Sequence, residues 1–369
     1  MSAARPSQLL YPAAVIAVVA LVLLVSTGGP AVMGSPVAIV AGVLALAALI
    51  SLWRPGWQLI LTGVAAHFAA YLLIAALPGV AGHAGLGFWC LVVSAWLTAW
   101  AFAQSLSDLR LRSRFASRLL GAVIPAVFGL WFLVLWEILV RGSGVSPVIL
   151  PAPSAIWARL VAGLPTLWAD FRQTFLKSVL IGYAIGCLSG FAVAVLADRI
   201  PFLRRGLLPI GNMVSALPIV GIAPIMVMWF GFDWPSKAAV VVIMTFFPML
   251  VNTVAGLAAA GAEERDLMHT YAADYWQALV KLRLPAALPF IFNALKINST
   301  LALIGAIVAE FFGTPIVGMG FRISTEVGRL AIDMVWAEIA VAALAGSVFY
   351  GLVSVVERTL TFWHPSYRT

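Results

Sequence analysis

The side chains best suited to metal binding or nucleophilic attack are few in this chain of 369 residues. Its four histidines, His67, His83, His269 and His364, stand far apart, with no spacing that would bring two imidazoles onto one metal ion. Cys90 and Cys187 both fall inside apolar runs and form no disulfide framework. HExxH, GxxxxGK[ST] and GxSxG are all absent, so a zinc hydrolase, a P-loop and a serine nucleophile each lack the residues they need. The sequence therefore assigns no catalytic residue, no metal and no cofactor.

The polar chemistry that remains is concentrated in one segment. Between Ala260 and Leu288 lie Glu263, Glu264, Asp266, Asp274, Gln277, Lys281 and Arg283, with Pro285 and Pro289 at its end. Leu267, Tyr271, Tyr275 and Leu279 recur every four residues and Leu282 closes the stripe, which predicts an amphipathic helix or a broken pair of helices. The acids at the start and bases at the end complement the helix dipole, each by about 0.3–1 kcal/mol. The prolines are expected to stop the helix and redirect the chain. Such a segment either lies on a lipid surface or docks a soluble partner, and periodicity does not choose between them.

The elements around this segment are apolar. Hydrophobic residues make up 63% of the chain and charged residues 10%. A soluble fold could not hide that much apolar surface, whereas an α-helical membrane protein need not. The fold class is accordingly an all-α integral membrane protein. Ten runs are long enough to cross a bilayer, near residues 9–27, 32–52, 58–79, 85–106, 119–140, 174–197, 207–230, 237–258, 289–312 and 337–360. The net charge of +8 comes with no basic stripe of the kind that holds nucleic acid. Arg54, the cluster Arg110, Arg112, Arg114 and Arg118, and the trio Arg199, Arg204 and Arg205 share one face with the polar segment. The positive-inside rule then puts both termini and that segment in the cytoplasm. A basic linker at 107–118 separates a four-helix module, 1–106, from a six-span block, 119–369.

Within the block, Gly182, Gly186 and Gly190 mark one helix face open to close packing, either inside the chain or between subunits. Pro209, Pro218 and Pro224 punctuate the seventh run, which is expected to border a translocation path. Asn212, Ser215, Pro218, Pro224, Met226, Met228 and Glu310 are the lining candidates. Glu310 serves either as a gate hydrogen-bonding group or as an interfacial carboxylate, and Lys296 is expected to anchor its helix to the polar segment. Glu137 and Glu357 read as interfacial or interhelical carboxylates. An ion-gradient-driven secondary transporter is the alternative class, but no internal repeat supports it.

Four stretches carry a family resemblance. DLMHTYAADYWQALVKLRLPAALP resembles the cytoplasmic E-A-A…G…I-x-L-P motif of ATP-binding-cassette importer permeases. Asp266 stands where the motif has Glu, Leu267 and Met268 where it has two alanines, and Ala272 where it has Gly. VILPAPSAIW, SALPIVGIAPIMVMWFG and AEFFGTPIVGMGFRI resemble segments of the nitrate, sulfonate and taurine branch, in the right order over about 119–364. The resemblance implies a type I six-helix core in the bacterial inner membrane, working as a homodimer, with a cytoplasmic ATPase and an extracytoplasmic substrate-binding protein. It further implies that a loop of about 260–288 couples to the ATPase, through Asp266, Leu267, Met268, Tyr271, Ala272, Tyr275, Leu279 and Pro285. The implied substrate is a small anion or a vitamin-precursor-type molecule. The first four runs lie outside the resemblance.

Overall fold

The computed structural model describes residues 6–28, 36–53, 55–109, 113–215, 217–313 and 316–363. Arg54, Arg110, Arg112 and His364 lie outside them. Among the described residues the regular structure is helical. Seven helices are long and apolar enough to cross a membrane: 58–80, 86–107, 115–142, 164–199, 234–258, 275–310 and 332–360. Three shorter apolar helices cover 8–24, 36–51 and 219–230. By its internal contacts the chain divides into two units, Met1–Ile156 and Trp157–Thr369.

The first unit contains α1 (Pro6–Gly28), α2 (Pro36–Trp53), α3 (Gln58–Val80), α4 (Leu86–Ser107) and α5 (Arg114–Gly142). Small residues such as Ala65, Ala66, Ala69 and Ala95 let the helices approach, and Leu44, Leu73, Leu77 and Leu91 fill the space between them. The buried Ser94 hydroxyl donates to the Ala13 carbonyl at 2.7 Å, tying α4 to α1. Glu137 near the end of α5 accepts from the Ser154 N–H and hydroxyl, at 2.9 and 2.7 Å, and from Arg141. The polar linker and the division by contacts mark different things: the linker falls at 107–118, while α5 beyond it packs on α3 and α4.

The second unit comprises most of α6 (Pro153–Ala162), then α7 (Leu164–Phe171), α8 (Leu180–Arg199), α9 (Pro201–Ser215), α10 (Ile219–Phe230), α11 (Trp234–Ala258), α12 (Ala262–Thr270), α13 (Tyr275–Ala278), α14 (Leu284–Glu310), α15 (Met319–Gly328) and α16 (Ile332–Leu360). A π-helical segment, Arg172–Val179, joins α7 to α8, so that helix starts ten residues earlier than the apolar run suggested. At the centre α11 packs between α8 and α14. The glycine stripe of α8 makes this possible within the chain: Gly182 and Gly190 lie directly against Val241 and the Phe246 carbonyl of α11. Asn298 of α14, fully buried, donates to the Thr245 carbonyl at 2.8 Å.

Two expectations from proline needed correction. The seventh run is not one helix: α9 ends at Ser215 and α10 begins at Ile219, because Pro218 disfavours helical backbone at the residue before it. Pro285 and Pro289, in contrast, do not stop the helix, which continues from Tyr275 to Glu310. A π-helical turn over Leu279–Arg283 widens the backbone just before Pro285, with the Leu284 N–H donating to the Leu279 carbonyl five residues back. That wider turn accommodates the missing donor and the ring. Lys296, expected to reach the polar segment, forms its ion pair with Glu357 of α16 at 2.8 Å.

Candidate coupling site

The polar segment folds as a pair of helices. The Gly261 N–H donates to the Glu264 carboxylate at 2.8 Å at the start of α12. At its end the chain reverses through a Schellman motif: the Ala273 N–H donates to the Met268 carbonyl at 3.0 Å and the Ala272 N–H to the His269 carbonyl at 2.9 Å. Ala272 takes the left-handed position of this motif, with φ +51°. Asp274 then starts α13 through a capping box. Its carboxylate accepts from the Gln277 N–H at 2.7 Å, and its own N–H donates to the Gln277 side chain at 3.1 Å.

This turn divides the apolar stripe. Tyr275 and Leu279 turn inward, and Leu279 is buried with Met249, Ala287 and Ile291. Leu267 and Tyr271 remain exposed, and none of the residues of α12 is buried. Asp266 and Ala272 are exposed, and Met268 and Pro285 are half-buried.

Below the pair, three elements meet at one guanidinium. Arg283 donates to both oxygens of Asp198 at the end of α8, at 2.6 and 2.8 Å, and to the Leu257 carbonyl near the end of α11 at 3.0 Å. The Tyr275 hydroxyl donates to Asp198 at 3.0 Å, and Arg199 stacks over the rings of Tyr275 and Trp276. A cavity of about 380 Å³ lies between α12 and α13, with Arg265, His269, Asp274 and Arg283 in its wall.

The opposite end of the same helices holds a second polar assembly. Glu310, 2% exposed, accepts from the Thr174 hydroxyl at 2.8 Å and from the Gly320 N–H at 2.7 Å. Asp170, fully buried, accepts from the Gly318 N–H at 2.7 Å and from Arg322 Nε at 2.8 Å. Together these carboxylates and the Thr174 hydroxyl occupy the N-terminus of α15, where free N–H groups and the helix dipole favour negative charge. Gly318, at φ +144°, turns its amide toward Asp170 in a conformation open mainly to glycine. Outside the spans, Asp233 at the start of α11 is held below the usual carboxylate range, first by the Trp234 N–H and then by the Gln173 amide.

The path candidates whose side chains are described differ in exposure. Pro218 is exposed at the break between α9 and α10, Pro224 is half-buried within α10 and Met226 is buried. Met228 is 83% exposed. The side chains of Asn212 and Ser215 lie outside the described residues.

Residues 182–362 match the family model described as binding-protein-dependent transport system inner membrane component. The formylaminopyrimidine transport permease protein ThiX of Halalkalibacterium halodurans is 31% identical over 66% of this chain and 96% of its own length. The chain belongs to the binding-protein-dependent transport system inner membrane components. Other relatives of this permease are the riboflavin transport system permease protein RibX of Chloroflexus aurantiacus, 32% identical over 63% of this chain and 87% of its own, and the taurine transport system permease protein TauC of Escherichia coli, 28% identical over 63% and 86%. The chain is thus an ATP-binding-cassette importer permease and a multi-pass membrane protein, of a family that in general works with an ATPase and a substrate-binding protein. Sequence reading missed Asp198, Asp170, Arg322 and Glu338. The three carboxylates are each one charge near the end of an apolar run, Arg322 is one base in the connection between two runs, and only pairing across the fold distinguishes them from interfacial residues.

Proposed function

We propose that this permease forms the conducting path of an importer for a small anion or a vitamin-precursor-type molecule, and that a separate ATPase drives it through the helix pair α12–α13. The observation that carries this reading is α12 and the turn after it: the helix buries none of its residues, and Leu267 within it and Tyr271 just beyond it are exposed. A helix that buries none of its residues among the described ones, followed by a capped turn and by a segment tied to α8 and α11 through Arg283, is suited to pass a push from outside into the spans. The coupling residues are Asp266, Leu267, Met268, Tyr271, Ala272, Tyr275, Leu279 and Pro285. Asn212, Ser215, Pro218, Pro224, Met228 and Glu310 remain the proposed path residues.

The membrane orientation in this proposal has both termini and α12 in the cytoplasm. Two copies form the path, and an extracytoplasmic binding protein delivers the substrate. Residues 1–106 are an added four-helix module, followed by the linker 107–118 and the permease region 119–369. The substrate class follows the relatives named for a formylaminopyrimidine, riboflavin and taurine. Purification from native membranes tests the central claim: an ATPase should accompany the wild-type chain and be lost with Asp266→Arg or Tyr271→Arg. Uptake by vesicles that hold this chain but neither ATPase nor ATP would overturn it in favour of an ion-gradient carrier.

A further inference from the structure

Glu338 of α16 is fully buried, and its carboxyl receives no N–H or O–H from any described residue. Its neighbour is another acid, the fully buried Asp170, whose carboxyl lies within hydrogen-bond reach. Leu167, Met334 and Ala337 are buried together where α7 meets α16, on the same two helices that carry the pair. Two ionised carboxylates touching in such a place would repel strongly, with little water to screen them.

The nearby cations do not relieve this. On α15, Arg322 is engaged by Asp170 at 2.8 Å and approaches Glu326 at 3.9 Å. On α11, Lys237 donates to the Phe232 carbonyl at 2.5 Å. Glu310 at the end of α14 is satisfied by Thr174 and Gly320 and adds a further carboxyl to the assembly. Asp170 already has the Gly318 N–H and Arg322 as partners, which suit its ionised form. Glu338 has no such partner.

We propose that Asp170 and Glu338 share one proton, carried by Glu338 and donated to Asp170, and that this proton clasps α16 to α7 and, through Asp170, to α15. The clasp sits at the end of the helix bundle opposite α12. Removing the proton leaves two like charges in contact, so the closed packing loosens as pH rises. That the loosening opens an outer gate rests on the importer reading above; the shared proton does not.

The test uses the full-length permease in lipid vesicles. Infrared spectra at neutral pH should contain the carbonyl stretch of an unionised carboxylic acid. That band should vanish in Glu338→Gln, and in the wild type it should disappear on alkalinisation. In Asp170→Asn, which removes the opposing charge, it should disappear at lower pH. Amide hydrogen exchange over residues 316–330, corrected for intrinsic base catalysis, should then accelerate about tenfold per pH unit in the wild type, the slope of one linked proton. Glu338→Gln, whose amide can donate to Asp170 without titrating, should hold that exchange flat. An acid band unchanged in whichever of the two variants folds, or no band lost from the wild type on alkalinisation, overturns the proposal. Neither result bears on whether an ATPase binds α12.

Discussion

Arg283 and Asp198, 85 residues apart, meet in a two-pronged ion pair with N–O distances of 2.6 and 2.8 Å. The carboxylate is almost wholly buried and the guanidinium largely so. Paired guanidinium–carboxylate contacts of this geometry fix direction as well as distance. The pair therefore joins the base of α13 to the end of α8 in one defined orientation.

Removing one partner should cost far more than removing both. Arg283→Ala leaves Asp198 buried with only the Tyr275 hydroxyl, and a loss of about 3–5 kcal/mol is expected for such a broken pair. Arg283→Lys keeps the charge but loses the fork, and should fall between. A double-mutant cycle with Asp198→Asn, read by thermal unfolding in detergent, measures the coupling. Additive losses would show that the pair contributes no joint stability.

Ala272 should be improved by glycine. Its φ of +51° costs an alanine about 1 kcal/mol, a penalty that glycine does not carry. Ala272→Gly is expected to slow amide exchange in 262–274, and Ala272→Val to speed it. Equal exchange in all three would mean that the turn relaxes away from the left-handed region.

Much of this site is legible in the sequence, and the missing parts have identifiable causes. Charges between Ala260 and Leu288 stand out because the rest of the chain is apolar, and the residues Asp274 to Gln277 contain their own capping logic. Pro285 misled because proline reports a missing donor, not the wider turn that compensates for it. Asp198 and Asp170 are ordinary single charges until the fold supplies Arg283, Arg322 and Glu338. In the sequence Pro218 is one of three prolines punctuating a single apolar run, and nothing local distinguishes a bend there from a full interruption.

The α8–α11 contact should not tolerate added volume. A Cβ at Gly190 would lie 2.5 Å from the Phe246 carbonyl, and one at Gly182 would lie 2.7 Å from Val241 Cβ. Gly190→Ala and Gly182→Ala should each cost about 1–3 kcal/mol by overpacking. Gly206→Ala, at a helical position with open space around it, is the control and should not lower the melting temperature.

Acid should weaken the cap of α11. Because the folded protein depresses the ionisation of Asp233, its contribution is present above the unfolded value of about 3.9 and lost as pH falls through the lower folded value. Asp233→Asn should flatten that acid limb of the stability curve. The Gln173 amide, 2.8 Å from Asp233, should become freer in parallel, which exchange over 172–179 would detect.

The unbroken helix from Tyr275 to Glu310 makes the two polar ends mechanically one body. Its 36 residues form a rod about 54 Å long at the usual rise per residue. A tilt of roughly 10° about one end would carry the other sideways by about 9 Å, from that length alone. Glu310 at the far tip holds the Gly320 amide directly, so no flexible joint stands between the helix beside α12 and the short helix it would have to move. The transmission ratio between the two faces is then set by where this rod pivots among its neighbours, above all along its long contact with α11.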